Sequence, residues 1–278
     1  MQKIQELHEK ITMYDIVIPT YNLKGANMVA SLIESITMFD NKSLSNIIIS
    51  DDGSDINTLL KLNDIRNTYN NIKLIFNERL NSFSKTVNNG MKLSSINNDV
   101  LLLNNDMLAL TSFEPFTQFM KTKTNIGIIS GKLLYPNNKI QSVGTVYNRL
   151  INSFRNINQN KEHNHKYTNY PKKYISLIGA CQYINRELIN KIGYYDENYL
   201  FSMEDIDYCV NANHNNYETW YIPYVEMIHY ASVSINNNQS IKNQNKRYFW
   251  KKWNNLYHTI STNQGIQDDP LDKDILMS

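Results

Sequence analysis

Cysteine, glycine and proline are scarce in this chain of 278 residues, which holds two, nine and six of them. The cysteines, Cys181 and Cys209, lie far apart and form no CxxC pair. That argues against a disulfide scaffold and a cysteine-held zinc module, and it fits a reducing compartment. Glycine-rich phosphate loops are missing as well, since neither GxGxxG nor GxxxxGK followed by Ser or Thr occurs. A Rossmann dinucleotide site and a P-loop are therefore disfavoured, and any phosphate would have to be held by a metal ion or by side chains. Charge of one sign is lacking too: the formal net charge is +2, no mark of a nucleic-acid or polyanion binder. No stretch approaches the ~18 consecutive apolar residues of a spanning helix. The opening MQKIQELHEK has no apolar signal-peptide core. These absences lead us to expect a soluble cytoplasmic protein. Its length suits one large domain or two small ones with a sizeable core.

What is abundant is asparagine, 42 residues spread over the whole chain, and tyrosine, with 19. An excess so evenly distributed makes a lone Asn weak evidence for a site. The informative pattern is periodicity. Tyr14 to Ile18 is a short β-branched strand ending at Pro19, followed by a helical pattern through Met28, Leu32, Ile33 and Ile36. Leu44 to Ser50, Ile72 to Phe76 and Val100 to Leu103 read as further strands. Helical patterns run through Leu59, Leu62 and Ile65, and over Phe83 to Leu93. Near-continuous apolar strands alternating with helices predict an α/β fold with a parallel sheet covered on both faces. Ligands of such sheets bind outside the carboxyl ends of the strands.

Those ends carry Pro19-Thr20-Tyr21-Asn22, Asp51-Asp52-Gly53-Ser54-Asp55 and Asn104-Asn105-Asp106. Further on, Met203-Glu204-Asp205-Ile206-Asp207 opens an amphipathic segment, and His229 follows two short strands, near 218–222 and 225–228. From about 147 to 173 the chain is polar and irregular, the pattern of a loop over a site. Order returns at Tyr174 to Ile178, then Gly179-Ala180 and a helix near Arg186 to Ile192.

The set IVIPTYN (16–22), DDGSD (51–55), LLLNND (101–106), MEDIDYC (203–209) and MIHYAS (227–232), in this order and spacing, resembles the family-2 glycosyltransferases, and from Gly179 to His229 their rhamnosyltransferase-type branch. The resemblance covers about residues 14–232. It implies a GT-A fold, a mostly parallel sheet flanked by helices. It also implies inverting sugar transfer from a UDP- or dTDP-linked donor to a hydroxyl of a glycan or, by family habit, a lipid-linked glycan acceptor, with Mg²⁺ or Mn²⁺. The expected domain is 1–235, its nucleotide-binding half about 14–107 and its acceptor half about 108–235, with a C-terminal helical extension over 236–278.

The resemblance also assigns roles. Tyr21 would stack on a pyrimidine beside Pro19, Thr20 and Asn22. Asp52 would accept the base N3–H; independently of the resemblance, DDGSD has the residues of a turn and helix start, with Asp51 or Asp55 as the cap. Asn105 and Asp106 stand at the family's metal motif, with Asp106 the ion's carboxylate and His229 a further ligand. Lys85, in the loop-helix segment 79–90, would reach the diphosphate, although Ser82 stands where the family has a Gly. Asp205 would be the general base, with Glu204 raising its pKa by like-charge proximity or orienting the acceptor near Gly179 and Ala180. Each residue also has a plain structural alternative, such as a turn Asp, a satisfied His or an acidic helix start.

The stretch Lys246 to Trp253 mixes bases with aromatics, and as a helix spanning 242–257 it would suit contact with the inner face of an anionic membrane. A core-docking helix or an oligomer contact explains it equally well. A nucleotidyltransferase and a non-catalytic glycan-binding relative are the competing functions. PTYNLKG is a poor match to the first, and intact Asp106 and Asp205 speak against the second.

Overall fold

The computed structural model describes residues 12–148, 153–231 and 239–254. The first half alternates as the periodicity requires: β1 (Tyr14–Thr20), α1 (Asn22–Thr37), β2 (Leu44–Asp51), α2 (Ile56–Thr68), β3 (Ile72–Phe76), α3 (Phe83–Leu93) and β4 (Asp99–Leu103). Then come β5 (Met107–Ala109), α4 (Glu114–Met120), β6 (Ile126–Leu134), β7 (Ile140–Ser142), β8 (Thr145–Asn148), β9 (Ser153–Asn156), a short 3₁₀ turn (Lys166–Thr168) and β10 (Lys172–Lys173). The chain continues with β11 (Cys181–Ile184), α5 (Arg186–Ile192), α6 (Glu204–His214), β12 (Glu218–His229) and α7 (Gln239–Trp253).

One sheet runs β10-β12-β6-β11-β4-β1-β2-β3, with β5 on β12 and β7 on β6. Strands β4, β1, β2 and β3 are mutually parallel, whereas β11 lies antiparallel between β4 and β6. The start of β11 therefore borders the same rim as the end of β4. Alternate residues of β1 feed the two faces: Ile16 and Ile18 pack with Val29, Leu32, Ile33 and Ile36 of α1, and Val17 packs with Val87 and Met91 of α3. The i, i+3, i+4, i+7 spacing on α1 keeps those four side chains on one stripe.

Helix caps explain why several boundaries were readable. Asp55 accepts from Thr58 N and caps α2, Asn185 accepts from Glu187 N and caps α5, and Ser82 caps α3 through Lys85 N. The Ser82 hydroxyl thus has a structural task where the resemblance expects a Gly.

Three expectations need correction. Strand β1 does not stop at Pro19 but pairs through Thr20, Pro19 standing opposite Ser50. The two strands expected before His229 are one, β12, in which a register shift between Tyr221 and Glu226 accommodates Pro223; a bulge is where a strand tolerates a residue without an N–H. The expected loop over 147–173 contains β9 and β10, and its first part forms the β8–β9 hairpin. In the segment 174–178, where order is expected to return, Tyr174, Ile175, Ser176 and Leu177 are buried and Ser176 bridges to Thr145.

The C-terminal helix docks on the body. Phe249 and Trp253 are buried with Ile175, Tyr199 and Val210, and Tyr147, Phe154, Tyr248 and Trp250 pack against that cluster. Burying Phe249 alone contributes about 1.5–3 kcal/mol, so the helix does not turn its aromatics outward to headgroups. Of its bases Arg247, Lys251 and Lys252 are exposed, Lys252 being ion-paired with Asp196 and Asp207, and residues 255–257 of the expected contact lie outside the described residues. No helix among the described residues is long and apolar enough to cross a membrane.

Candidate active site

The carboxyl ends of β1, β2 and β4 and the start of β11 meet along one rim, joined by hydrogen bonds. Asp52 N donates to Thr20 O (2.9 Å), Asn105 Nδ2 to Thr20 Oγ1 (3.1 Å), Asn104 N to Ala180 O (3.0 Å) and Gly179 N to Asp205 Oδ2 (2.8 Å). Every strand-end motif of the sequence is touched by this run.

At the β2 end, Asp51 is buried and anchors the turn by accepting from Ser54 N and Ser54 Oγ. Asp52, also buried, accepts from Leu80 N (2.7 Å) and is ion-paired with Arg79. Burial pushes its carboxyl up, against the Leu80 hydrogen bond and the Arg79 charge, which pull it down. The same Arg79 guanidinium lies 3.5 Å from the centroid of the Tyr21 ring, so Tyr21, 42% exposed, already carries a stacked partner. Neither Asp52 nor Tyr21 hinted at Arg79, which reaches them from 27 residues beyond Asp52. Asn22 has a left-handed backbone (φ 61°), takes the Ser54 hydroxyl through its N–H and accepts from Gly25 N.

At the β4 end, Asp106 and His229 face each other because Met107 of β5 pairs with His229 of β12. His229 Nε2 is 3.1 Å from Asp106 Oδ1, and Nδ1 is 2.6 Å from Gln141 Oε1. An amide oxygen accepts, so Nδ1 donates to Gln141 and Nε2 is the ring nitrogen that faces the carboxylate. Adjacent ligands of an octahedral ion at ~2.1 Å stand about 3.0 Å apart, and one imidazole with one carboxylate suits Mn²⁺ or Mg²⁺. No group of three or more His, Cys, Asp or Glu side chains that could hold a metal ion occurs among the described residues. The pair therefore fits an ion that takes its remaining ligands from phosphate and water. Asn105 and Asp106 also line a mostly apolar cleft of about 540 Å³ with Lys24, Met28, Leu108 and Tyr230.

The carboxylates of α6 line a second, polar cleft of about 250 Å³, walled by Thr145, Phe154, Arg155 and Asn156 of the β8–β9 hairpin and by Ile178. A Cβ on Gly179 would stand 2.9 Å from Asp205 Cβ, so only glycine lets the two chains approach this closely. Asp205 accepts from Gly179 N at Oδ2 and from Ile206 N at Oδ1 (2.8 Å each). Glu204 is 8% exposed and its Oε2 has no hydrogen-bond partner. Burial raises both carboxyls, and the neighbouring Asp205 charge raises Glu204 further. Of the two, Glu204 holds its proton more firmly, because the backbone N–H groups favour the ionised form of Asp205.

A raised folded-state pKa means that burying the charge costs progressively more as pH climbs out of the ordinary carboxylate range. Glu204→Gln is therefore expected to gain on the wild type as pH rises, its melting advantage being a few °C larger at pH 8.5 than at pH 5.5, for ~1–2 kcal/mol. Thermal melts of both proteins at the two pH values check this.

The residues picked out in the sequence thus share a rim but not a single cavity. Asn105 and Asp106 border one cleft, Glu204 and Asp205 another, and Tyr21 with Asp52 is closed by Arg79. Lys85, in the first turn of α3, lines neither cleft. Gln141 and the hairpin wall carried no sequence signal, since TVYN and SFRN show no apolar alternation.

Comparison with known proteins agrees with this architecture. A crystal structure of GalNAc-T7 with UDP, GalNAc and Mn²⁺ superposes with a TM-score of 0.68 at 15% identity, covering 94% of this chain and 54% of that one. It shares the GT-A fold. The uncharacterized protein y4gI of Sinorhizobium fredii is 25% identical over 250 residues, 81% of this chain, which spans a quarter of that relative's length. The model of glycosyl transferase family group 2 matches residues 100–264. With more than half of its length so matched, the chain belongs to glycosyl transferase family group 2.

Proposed function

We propose that the protein is a metal-dependent, inverting glycosyltransferase that moves a hexosyl- or rhamnosyl-type sugar from a UDP- or dTDP-linked donor to a hydroxyl of a glycan or lipid-linked glycan. The observation that carries this reading is the hydrogen-bonded rim joining Thr20, Asp52, Asn105, Gly179 and Asp205, with the Asp106–His229 pair beside it. Pro19, Thr20, Tyr21, Asn22 and Asp52 would receive the nucleoside, Arg79 leaving the Tyr21 ring as the pyrimidine stacks there. Asp106 and His229 would hold the cation. When bound, Mg²⁺ or Mn²⁺ neutralises the charge growing on the departing diphosphate.

Asp205 takes the proton of the acceptor hydroxyl as that oxygen bonds to the anomeric carbon and the carbon–diphosphate bond breaks. One carboxylate suffices, because inversion is a single displacement without a glycosyl-enzyme intermediate. Glu204, protonated beside it, donates a hydrogen bond to a neighbouring acceptor hydroxyl across the polar cleft, near Gly179 and Ala180. Arg247 and Lys251 are the bases left to meet an anionic membrane surface.

The test is a donor screen with the purified chain, measuring nucleoside diphosphate released from UDP-, dTDP- and GDP-sugars with Mn²⁺ and with EDTA. Release from a UDP- or dTDP-sugar that stops with EDTA is expected. A preference for GDP-sugars, or release from none, overturns the reading.

A further inference from the structure

The backbone that delivers Glu204 and Asp205 is strained. Ser202 (φ 69°) and Met203 (φ 77°), two successive residues with side chains, occupy the left-handed region just before α6. Met203 stands at the N-cap position and makes no side-chain capping bond. Unstrained alternatives exist for a Ser-Met pair, so the surroundings must impose this geometry.

The C-terminal helix supplies the restraint. Asn245 of α7, buried, donates both amide hydrogens to the turn, to Phe201 O (2.5 Å) and Ser202 O (3.0 Å). Two residues past Asp205, Asp207 accepts from Trp253 Nε1 (2.7 Å) and Lys252 Nζ (2.9 Å), and Lys252 also reaches Asp196 (2.8 Å). One helix thus grips the chain on both sides of the paired carboxylates.

We infer that Asn245 is a positioning residue: it holds the left-handed Ser202–Met203 turn and thereby aims the Glu204–Asp205 pair into the polar cleft. This rests on the proposed role of Asp205, and the experiment separates the two. Misplacing a catalytic group by about 1 Å can cost ~10²-fold in rate. Nucleoside diphosphate release is measured on the full chain with the best UDP- or dTDP-sugar of the screen, well below each variant's melting temperature. Asn245→Ala and the isosteric Asn245→Asp, which removes the donors but keeps the volume, are expected to lose ~10- to 100-fold in kcat. Donor KM and the thermal shift given by UDP with Mn²⁺ stay within about twofold, since that part of the rim is untouched. Adding Met203→Gly to Asn245→Ala restores most of the lost kcat, because glycine adopts a positive φ without a Cβ clash. A merely structural role would not respond to that second change.

Wild-type kcat in folded Asn245→Ala or Asn245→Asp, or a loss that Met203→Gly fails to recover, overturns the inference and leaves the proposed reaction standing. Full turnover in Asp205→Asn overturns both.

Discussion

Asp205→Asn is expected to lower turnover by ~10²–10⁴, the weight of a general base, which corresponds to about 3–5.5 kcal/mol of barrier. The change removes the proton acceptor yet keeps the shape. The amide oxygen still accepts from Gly179 N, while the NH₂ group faces the Ile206 N–H that Asp205 Oδ1 accepted. One donor thereby loses its partner, a cost of about 1–3 kcal/mol that relief from burying a charge partly offsets. Donor binding, followed by the thermal shift with UDP and Mn²⁺, is expected to be near that of the wild type. Nucleoside diphosphate release under saturating donor measures the turnover. A variant that folds, binds donor and transfers at the wild-type rate would remove Asp205 from the chemistry.

The largest loss of stability is expected at the opposite rim. Arg186 is buried and donates through Nε to Asn98 O and through Nη2 to Ser94 Oγ (2.6 Å each), and its own N–H reaches Asp99 Oδ1 (2.8 Å). Burial raises the Asp99 carboxyl to about 6, with the Arg186 N–H, Tyr183 and the Arg186 charge working against the rise. Removing the guanidinium in Arg186→Ala leaves the Asn98 carbonyl, the Ser94 hydroxyl and a buried carboxylate without it. The expected cost is about 2–5 kcal/mol, from two buried acceptors stripped of their donor, read as a fall in the urea midpoint at unchanged slope. The sign with pH follows from Asp99. Its raised value makes ionisation costly above about pH 6, so the deficit is expected to be smaller at pH 5, where the carboxyl takes up its proton.

Arg186 also shows what a one-dimensional reading can and cannot separate. It lies inside the segment that resembles the rhamnosyltransferase branch, yet its contacts are at the amino ends of β4 and β1, away from the strand-end motifs. Features set by neighbouring residues were legible: α3 and α5 begin and end as the periodicity and their Ser82 and Asn185 caps require. Asp55 was readable as a helix cap for the same local reason. What escaped depends on distant partners. The β8–β9 hairpin has little apolar pattern of its own and rests on rings, with Tyr147 and Phe154 against Trp250 and Phe249 of a helix nearly a hundred residues on. Arg79 between Tyr21 and Asp52 is likewise a tertiary contact, and so is the inward turn of the aromatics on α7. Basic and aromatic residues alternating on a helix look alike whether the rings face lipid or a core, and packing decides between them.

The reversed direction of β11 divides the labour of the rim. Strand ends and the loops after them (20–22, 51–54 and 78–81) shape one side, whereas the approach to β11, the hairpin and the start of α6 (178–180, 145–156 and 202–206) shape the other. Among the described residues Asn104 and Asn105 bridge the two, bonding to Ala180 on one side and to Thr20 on the other. On the proposed reading, the choice of leaving nucleotide and the choice of incoming alcohol are inherited separately, and relatives can exchange one specificity while conserving the other.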